Sequence, residues 1–113
     1  MSHAVLRIES LPVAALDSAR EFHATWLERI RALLHEDPPL LTIVLPPAPY
    51  DHSDWRKAAA ADLARSGAPT RVNVIAGDEA AAIASALSYL EGAPGVTGQY
   101  LPLDGVGAGR PLP

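Results

Sequence analysis

Tyr50, His52, Ser53 and Lys57 are the residues of this chain best suited to proton transfer, and they fall in one short stretch. Tyrosine and lysine can hold or pass a proton, histidine is a general base near neutral pH, and a serine hydroxyl can bond a reacting oxygen. The run Asp51-His52-Ser53-Asp54 could supply a base or a weak metal site. A helix start explains the same run, because Ser53 or Asp54 can accept the free N–H groups of a first helical turn. Spacing limits the chemistry. A tyrosine shares a helix face with a lysine four residues later, but the residue four before Lys57 is Ser53, and Tyr50 stands seven before it. Of the other histidines, His3 is isolated. His23 and His35 are twelve apart on one helix, roughly 120° apart in projection, so they do not pair. No catalytic residue, cofactor ligand or metal site emerges as a firm assignment.

Two glycine-rich segments could suggest a phosphate cradle. Gly105-Val106-Gly107-Ala108-Gly109-Arg110 would need a helix after it to hold a phosphate on its N-terminus. Only Pro111-Leu112-Pro113 follows, so the segment reads as a flexible tail over 106–113. Gly92-Ala93-Pro94-Gly95 reads as a plain turn.

Composition narrows the class. The 113 residues fit one domain, taken as 1–105, and can bury roughly two-thirds of the unfolded chain's surface. Cysteine is absent, which excludes disulfides and thiolate zinc sites. The net charge is −4 and no basic cluster exceeds Arg56-Lys57, which argues against a nucleic-acid partner. No apolar run is long enough for a bilayer. Met1-Ser2-His3-Ala4 lacks the form of a signal peptide. The expectation is a cytoplasmic protein with no membrane attachment.

The hydrophobic pattern lays out the elements. Val5–Ile8 reads as a strand, stopped near Pro12. A helix follows from about Ser18, which has capping-box spacing to Glu21. Phe22, Trp26, Leu27, Ile30, Leu33 and Leu34 form its apolar stripe, and Pro38-Pro39 ends it. Leu40–Leu45 is a continuous apolar run, as expected of a strand buried on both faces. A second helix begins at Ser53 or Asp54, buries Trp55, Ala59 and Leu63, and stops at Gly67. Arg71–Ala76 is the third strand. Asp78 caps a third helix with Ile83, Leu87 and Leu90 inward, ended by Gly92. Gln99–Leu103 is a last strand, and Pro102 places it at a sheet edge.

The order β-α-β-α-β-α-β predicts an α/β fold with about four mainly parallel strands and three helices. If successive strands are neighbours and every crossover is right-handed, all helices lie on one face. The other face would then be apolar and bare. Either one helix crosses to it, giving a three-layer rather than a two-layer sandwich, or a second subunit covers it.

Val96-Thr97-Gly98-Gln99-Tyr100-Leu101-Pro102-Leu103-Asp104-Gly105 resembles the end of short-chain dehydrogenase/reductase (SDR) proteins. There a Thr-Gly-Gln turn leads into the last strand, which closes with Asp-Gly. Arg71-Val72-Asn73-Val74-Ile75-Ala76-Gly77 resembles that family's sixth strand, and Ile83–Leu90 the helix between the two. On this resemblance Val5–Ile8 and Leu41–Leu45 correspond to the fourth and fifth strands. The implied fold is a truncated Rossmann-like one. The resemblance also implies what is missing. The family's glycine-rich cofactor turn has no counterpart here, its Tyr-x-x-x-Lys pair is not reproduced around Lys57, and Gly77 leads straight into a helix with no substrate loop. It further implies subunit contacts through Trp26 and Trp55 on the first two helices, or through Leu87 and the strand residues Tyr100, Leu101 and Leu103.

The expected function is a non-catalytic SDR-like half-domain acting as a binding or accessory subunit, without cofactor, in a homodimer or tetramer. Two alternatives stand beside it. One is an oxidoreductase-related enzyme or NAD(P)-binding protein whose pocket is rebuilt between subunits, using Tyr50, His52, Ser53 and Lys57. The other is a partner subunit that docks on a full-length SDR reductase.

Overall fold

Leu40–Leu45 forms the strand on which the rest of the sheet is laid, and all six of its residues are buried. A computed structural model describes residues 3–103. The expected tail at 106–113, and the Asp-Gly pair at 104–105, lie outside the described residues. Strands β1 (His3–Arg7), β2 (Leu40–Leu45), β3 (Arg71–Ala76) and β4 (Tyr100–Pro102) make one sheet in the order β1-β2-β3-β4. All three pairings are parallel, with Leu6 opposite Ile43, Ile43 opposite Val74 and Ile75 opposite Leu101. Pro102, which has no N–H, occupies the edge strand, and the ladder resumes with Leu103 N–H donating to the Ala76 carbonyl.

Alternation along the strands divides the core into two layers. One layer holds Leu6, Leu41, Ile43, Leu45, Val72 and Val74 under the helical segments α1 (Ala15–Glu21), α2 (Leu27–Leu34) and α3 (Ser53–Gly67). The other holds Leu40, Val44 and Ile75 against Ile83, Ala86 and Leu90 of α4 (Ala80–Glu91). The helix between β3 and β4 therefore crosses to the face the first two crossovers leave bare. Because strand order simply follows the chain, this connection has the opposite hand to the other two. That departs from the strong right-handed rule, and it gives three layers.

The expected first helix exists, but its start and regularity differ. Ser18 does not cap it. The helix already begins at Ala15, Ser18 N–H donates to the Ala14 carbonyl, and the Ser18 hydroxyl is buried without a hydrogen-bond partner among the described residues. No capping box forms, because the helical ladder has closed before Ser18 is reached. A π-helical turn at Phe22–Trp26 then separates α1 from α2. It keeps Phe22 and Ile30 in the core, with Trp26, Leu27, Leu33 and Leu34 packed partly against it. Asp37 closes the segment at φ 54°, a left-handed conformation that aspartate tolerates, just ahead of Pro38.

The other two expected caps are also absent. A 3₁₀ turn at Tyr50–His52 leads directly into α3, and neither Ser53 nor Asp54 caps it. α4 starts at Ala80 with Glu79 at its cap position, not Asp78, and no side chain bonds there. The stops hold: α3 ends at Gly67 and Gly92 caps α4. Ile43 is fully buried at the centre of the larger layer. Ile43→Ala should therefore cost about 2–5 kcal/mol of stability, read as a lower urea midpoint with an unchanged slope.

Candidate functional site

In open parallel sheets, ligands sit beyond the carboxyl ends of the strands. Here the segments leaving β1 and β2 converge at that end. Residues 9–13 and residues 46–49, together with His52 and Arg56, line a cleft of ≈ 230 Å³. Its walls are mostly apolar, from Leu11, Val13 and the prolines.

His52 fastens the two segments together. It is only 2% exposed. Trp55 Nε1–H donates to His52 Nδ1 at 3.3 Å, so the ring proton is assigned to Nε2, which donates to the Val13 carbonyl at 2.9 Å. Both nitrogens are thus engaged by the protein. The ring ties the chain after β1 to the start of α3, and it has no free lone pair to take a proton from a substrate.

The other sequence candidates do not join it. Tyr50 is 87% exposed. Ser53 is half-buried as the first residue of α3, and Lys57 is exposed one turn further on. Neither Ser53 nor Lys57 forms a side-chain hydrogen bond or ion pair with the described residues, and neither lines the cleft. Asp51 and Asp54 are exposed. No group of three or more His, Asp or Glu side chains is gathered to hold a metal ion among the described residues. His23 spends its Nδ1 on the Ala19 carbonyl of its own helix. His3 bridges Glu91 and Thr42, at 3.1 and 2.7 Å, on the α4 side of the sheet.

The side chain that does occupy the cleft is Arg56. It is 1% exposed. Its Nη1 donates to the Pro46 carbonyl at 2.9 Å and to the Tyr100 hydroxyl at 3.3 Å. Its guanidinium lies 5.4 Å from the Trp55 ring centre and 5.9 Å from that of Tyr100. Aromatic faces and a carbonyl offset part of the cost of burying a charge. Glu9, on the opposite lip, is turned to Arg7 at 3.5 Å and not to Arg56. Arg56 was legible in the sequence by position: with Ala59, Ala60 and Leu63 it keeps the i, i+3, i+4, i+7 spacing of one helix face. Its charge concealed it.

The interface candidates all pack inside the chain to some degree. Trp26, Trp55 and Tyr100 lie half-buried against the larger layer, and Leu87, Leu101 and Leu103 against the smaller.

The two segments that carry the sequence resemblance prove to bond each other. Asn73, fully buried, donates from Nδ2 to the Val96 carbonyl at 3.1 Å and accepts Gln99 N–H on Oδ1 at 3.0 Å. Thr97 Oγ1 accepts Val72 N–H at 3.0 Å, and Gly98 N–H donates to the Val72 carbonyl at 2.7 Å. Gly98 stands at φ 76°, and a Cβ there would meet the Ala64 Cβ at 3.4 Å, so glycine suits both its backbone and its neighbour. Arg71 Nη1 donates to the carbonyls of Leu90 and Ala93, at 3.1 and 2.7 Å, capping the end of α4. The motif is a structural lock.

Comparison with known proteins gives a matching assignment. No curated protein and no solved structure matches the chain. A family model described as SDR-like, short chain dehydrogenase-like protein, matches residues 6–103 of the 113. That span takes in every strand but the first residues of β1, and it includes the Asn73 lock. On that match, the chain belongs to the SDR-like family of short chain dehydrogenase-like proteins.

Proposed function

We propose that the chain is a non-catalytic, cytoplasmic SDR-like module that works as a binding or accessory subunit within a homo-oligomer. The observation that carries the reading is the dispersal of its reactive side chains. His52 is consumed by two structural hydrogen bonds, and Tyr50 and Lys57 point to solvent from separate positions. Proton transfer needs donor and acceptor within hydrogen-bond reach of one reacting atom. To act as a base, His52 would have to release its Nδ1 from the Trp55 N–H.

Association is supported by apolar exposure. Val13, Leu16 and Tyr50 are 90%, 87% and 87% exposed. They fall on the two segments that the His52–Val13 bond ties together. Such residues gathered at one end of a small protein suit a partner surface. The two sheet edges, β1 and β4, are further sites where a copy of the chain could pair. A two-fold contact through one surface is the commonest arrangement. No helix among the described residues is long and apolar enough to cross a membrane.

Light scattering at micromolar concentration should return twice the 11.9 kDa chain mass or more. A clean monomer would overturn the oligomer reading. NADH and NADPH should give no saturable fluorescence change at micromolar concentration. Clear binding that Lys57→Ala abolishes would bring forward an enzyme with a pocket rebuilt between subunits. The structural role of His52 has its own test in urea unfolding. His52→Ala should destabilise by about 1–3 kcal/mol, because it removes both hydrogen bonds and leaves the Trp55 N–H and Val13 carbonyl without their partner. Tyr50→Phe and Lys57→Ala, both at the surface, should stay within about 0.5 kcal/mol of the parent.

A further inference from the structure

An arginine guanidinium keeps its positive charge throughout the physiological pH range, and Arg56 is almost wholly enclosed with no carboxylate among its described partners. The way its donors are used is uneven. Nη1 is committed to Pro46 and Tyr100. Nε is buried with no hydrogen-bond partner among the described residues, and Nη2 makes no hydrogen bond to one of them. Nε and Nη2 together form the side-on edge of the guanidinium. That edge matches the two oxygens of one carboxylate in parallel. A buried N–H without an acceptor costs free energy until an acceptor seats against it.

The surroundings state what kind of acceptor fits. The cleft that Arg56 lines is walled by Leu11, Val13 and a run of prolines. At ≈ 230 Å³ it is smaller than the roughly 300–1,000 Å³ of sites for drug-sized ligands. Arg56 is the one cation among the described residues lining it, and Glu9 on the lip is engaged with Arg7. A phosphate dianion would exchange its hydration for apolar walls and a single positive charge. A monocarboxylate with a compact apolar body leaves the charge balanced and fills the walls.

We infer that this cleft is a binding site for a small organic carboxylate, held side-on by Arg56 Nε and Nη2 once a small shift of the guanidinium opens the buried Nε to it. Every residue named for the site belongs to one chain, so its test does not depend on self-association.

The test is an NMR titration of the ¹⁵N-labelled full chain, at constant ionic strength, with sodium benzoate and separately with sodium phosphate. Benzoate should shift the Arg56 Nε–H resonance saturably, and phosphate should bind roughly tenfold more weakly or not at all. Arg56→Lys keeps the charge but cannot offer two parallel donors. It should weaken benzoate binding by roughly tenfold. If that variant fails to fold, the Nε–H response of the unaltered protein decides the matter alone. Absence of a saturable benzoate shift, a benzoate site that spares Arg56, or phosphate binding as tight as benzoate would each overturn the inference.

Discussion

The side-chain amide of Asn73 is the constraint on which the last third of this molecule depends. It is buried in the middle of β3, on the face toward α4, where its polar atoms meet no water. Its donor and its acceptor are both answered by one short segment, at Val96 and Gln99. Leaving either end unanswered would cost about 1–3 kcal/mol. That segment must therefore return to β3 at one position, and β4 leaves it in a fixed register. Arg71, two residues earlier on the same face, holds the end of α4 through its carbonyls. Gly77, directly after β3, lets Leu103 approach so that a Cβ there would stand 3.3 Å from its own. Together these contacts hold α4 on the second face of the sheet, against the usual preference for one hand of crossover.

This lock gives the segments that carry the family resemblance a structural duty. The residues that carry the resemblance, Arg71-Val72-Asn73 and Thr97-Gly98-Gln99, bond one another. They are needed wherever β4 must close the sheet. Around α3, two side chains fasten loops: His52 joins the turn after β1 to α3, and Arg56 joins the turn after β2 to Tyr100 on β4. Fold alone does not convey function; at the carboxyl end of this sheet the structure shows two buried side chains that hold loops in place.

The strands could be read from the sequence because each rests on a local and strong signal. Leu40–Leu45 is apolar throughout, as a strand covered on both faces must be, and Pro102 announces an edge. The helix stops were equally legible, since Gly67 and Gly92 end their helices. The starts were not. Ser18, Ser53 and Asp78 all have capping chemistry, yet the helices begin at Ala15, after a 3₁₀ turn at Tyr50–His52, and at Ala80, with no side chain capping them. The π turn at Phe22–Trp26 has no marker in residue type. In the cleft, His52 drew notice for its polar neighbours, but its partner Val13 lies far off in the chain, so its structural duty could not be seen locally. Arg56 shared a spacing with the buried stripe, and only the burial itself shows that a charged residue took a core position.

Hydrogen exchange of Asn73→Ala against the parent protein tests the central claim, that the family signature is retained as a lock on the sheet. The account predicts a selective effect. The Val74 and Leu103 amides, which bond across β3 and β4, lose protection, while the Ile8 amide bonded to Val44 keeps that of the parent. Unchanged protection at Val74 and Leu103, or an equal loss at Ile8, would contradict it.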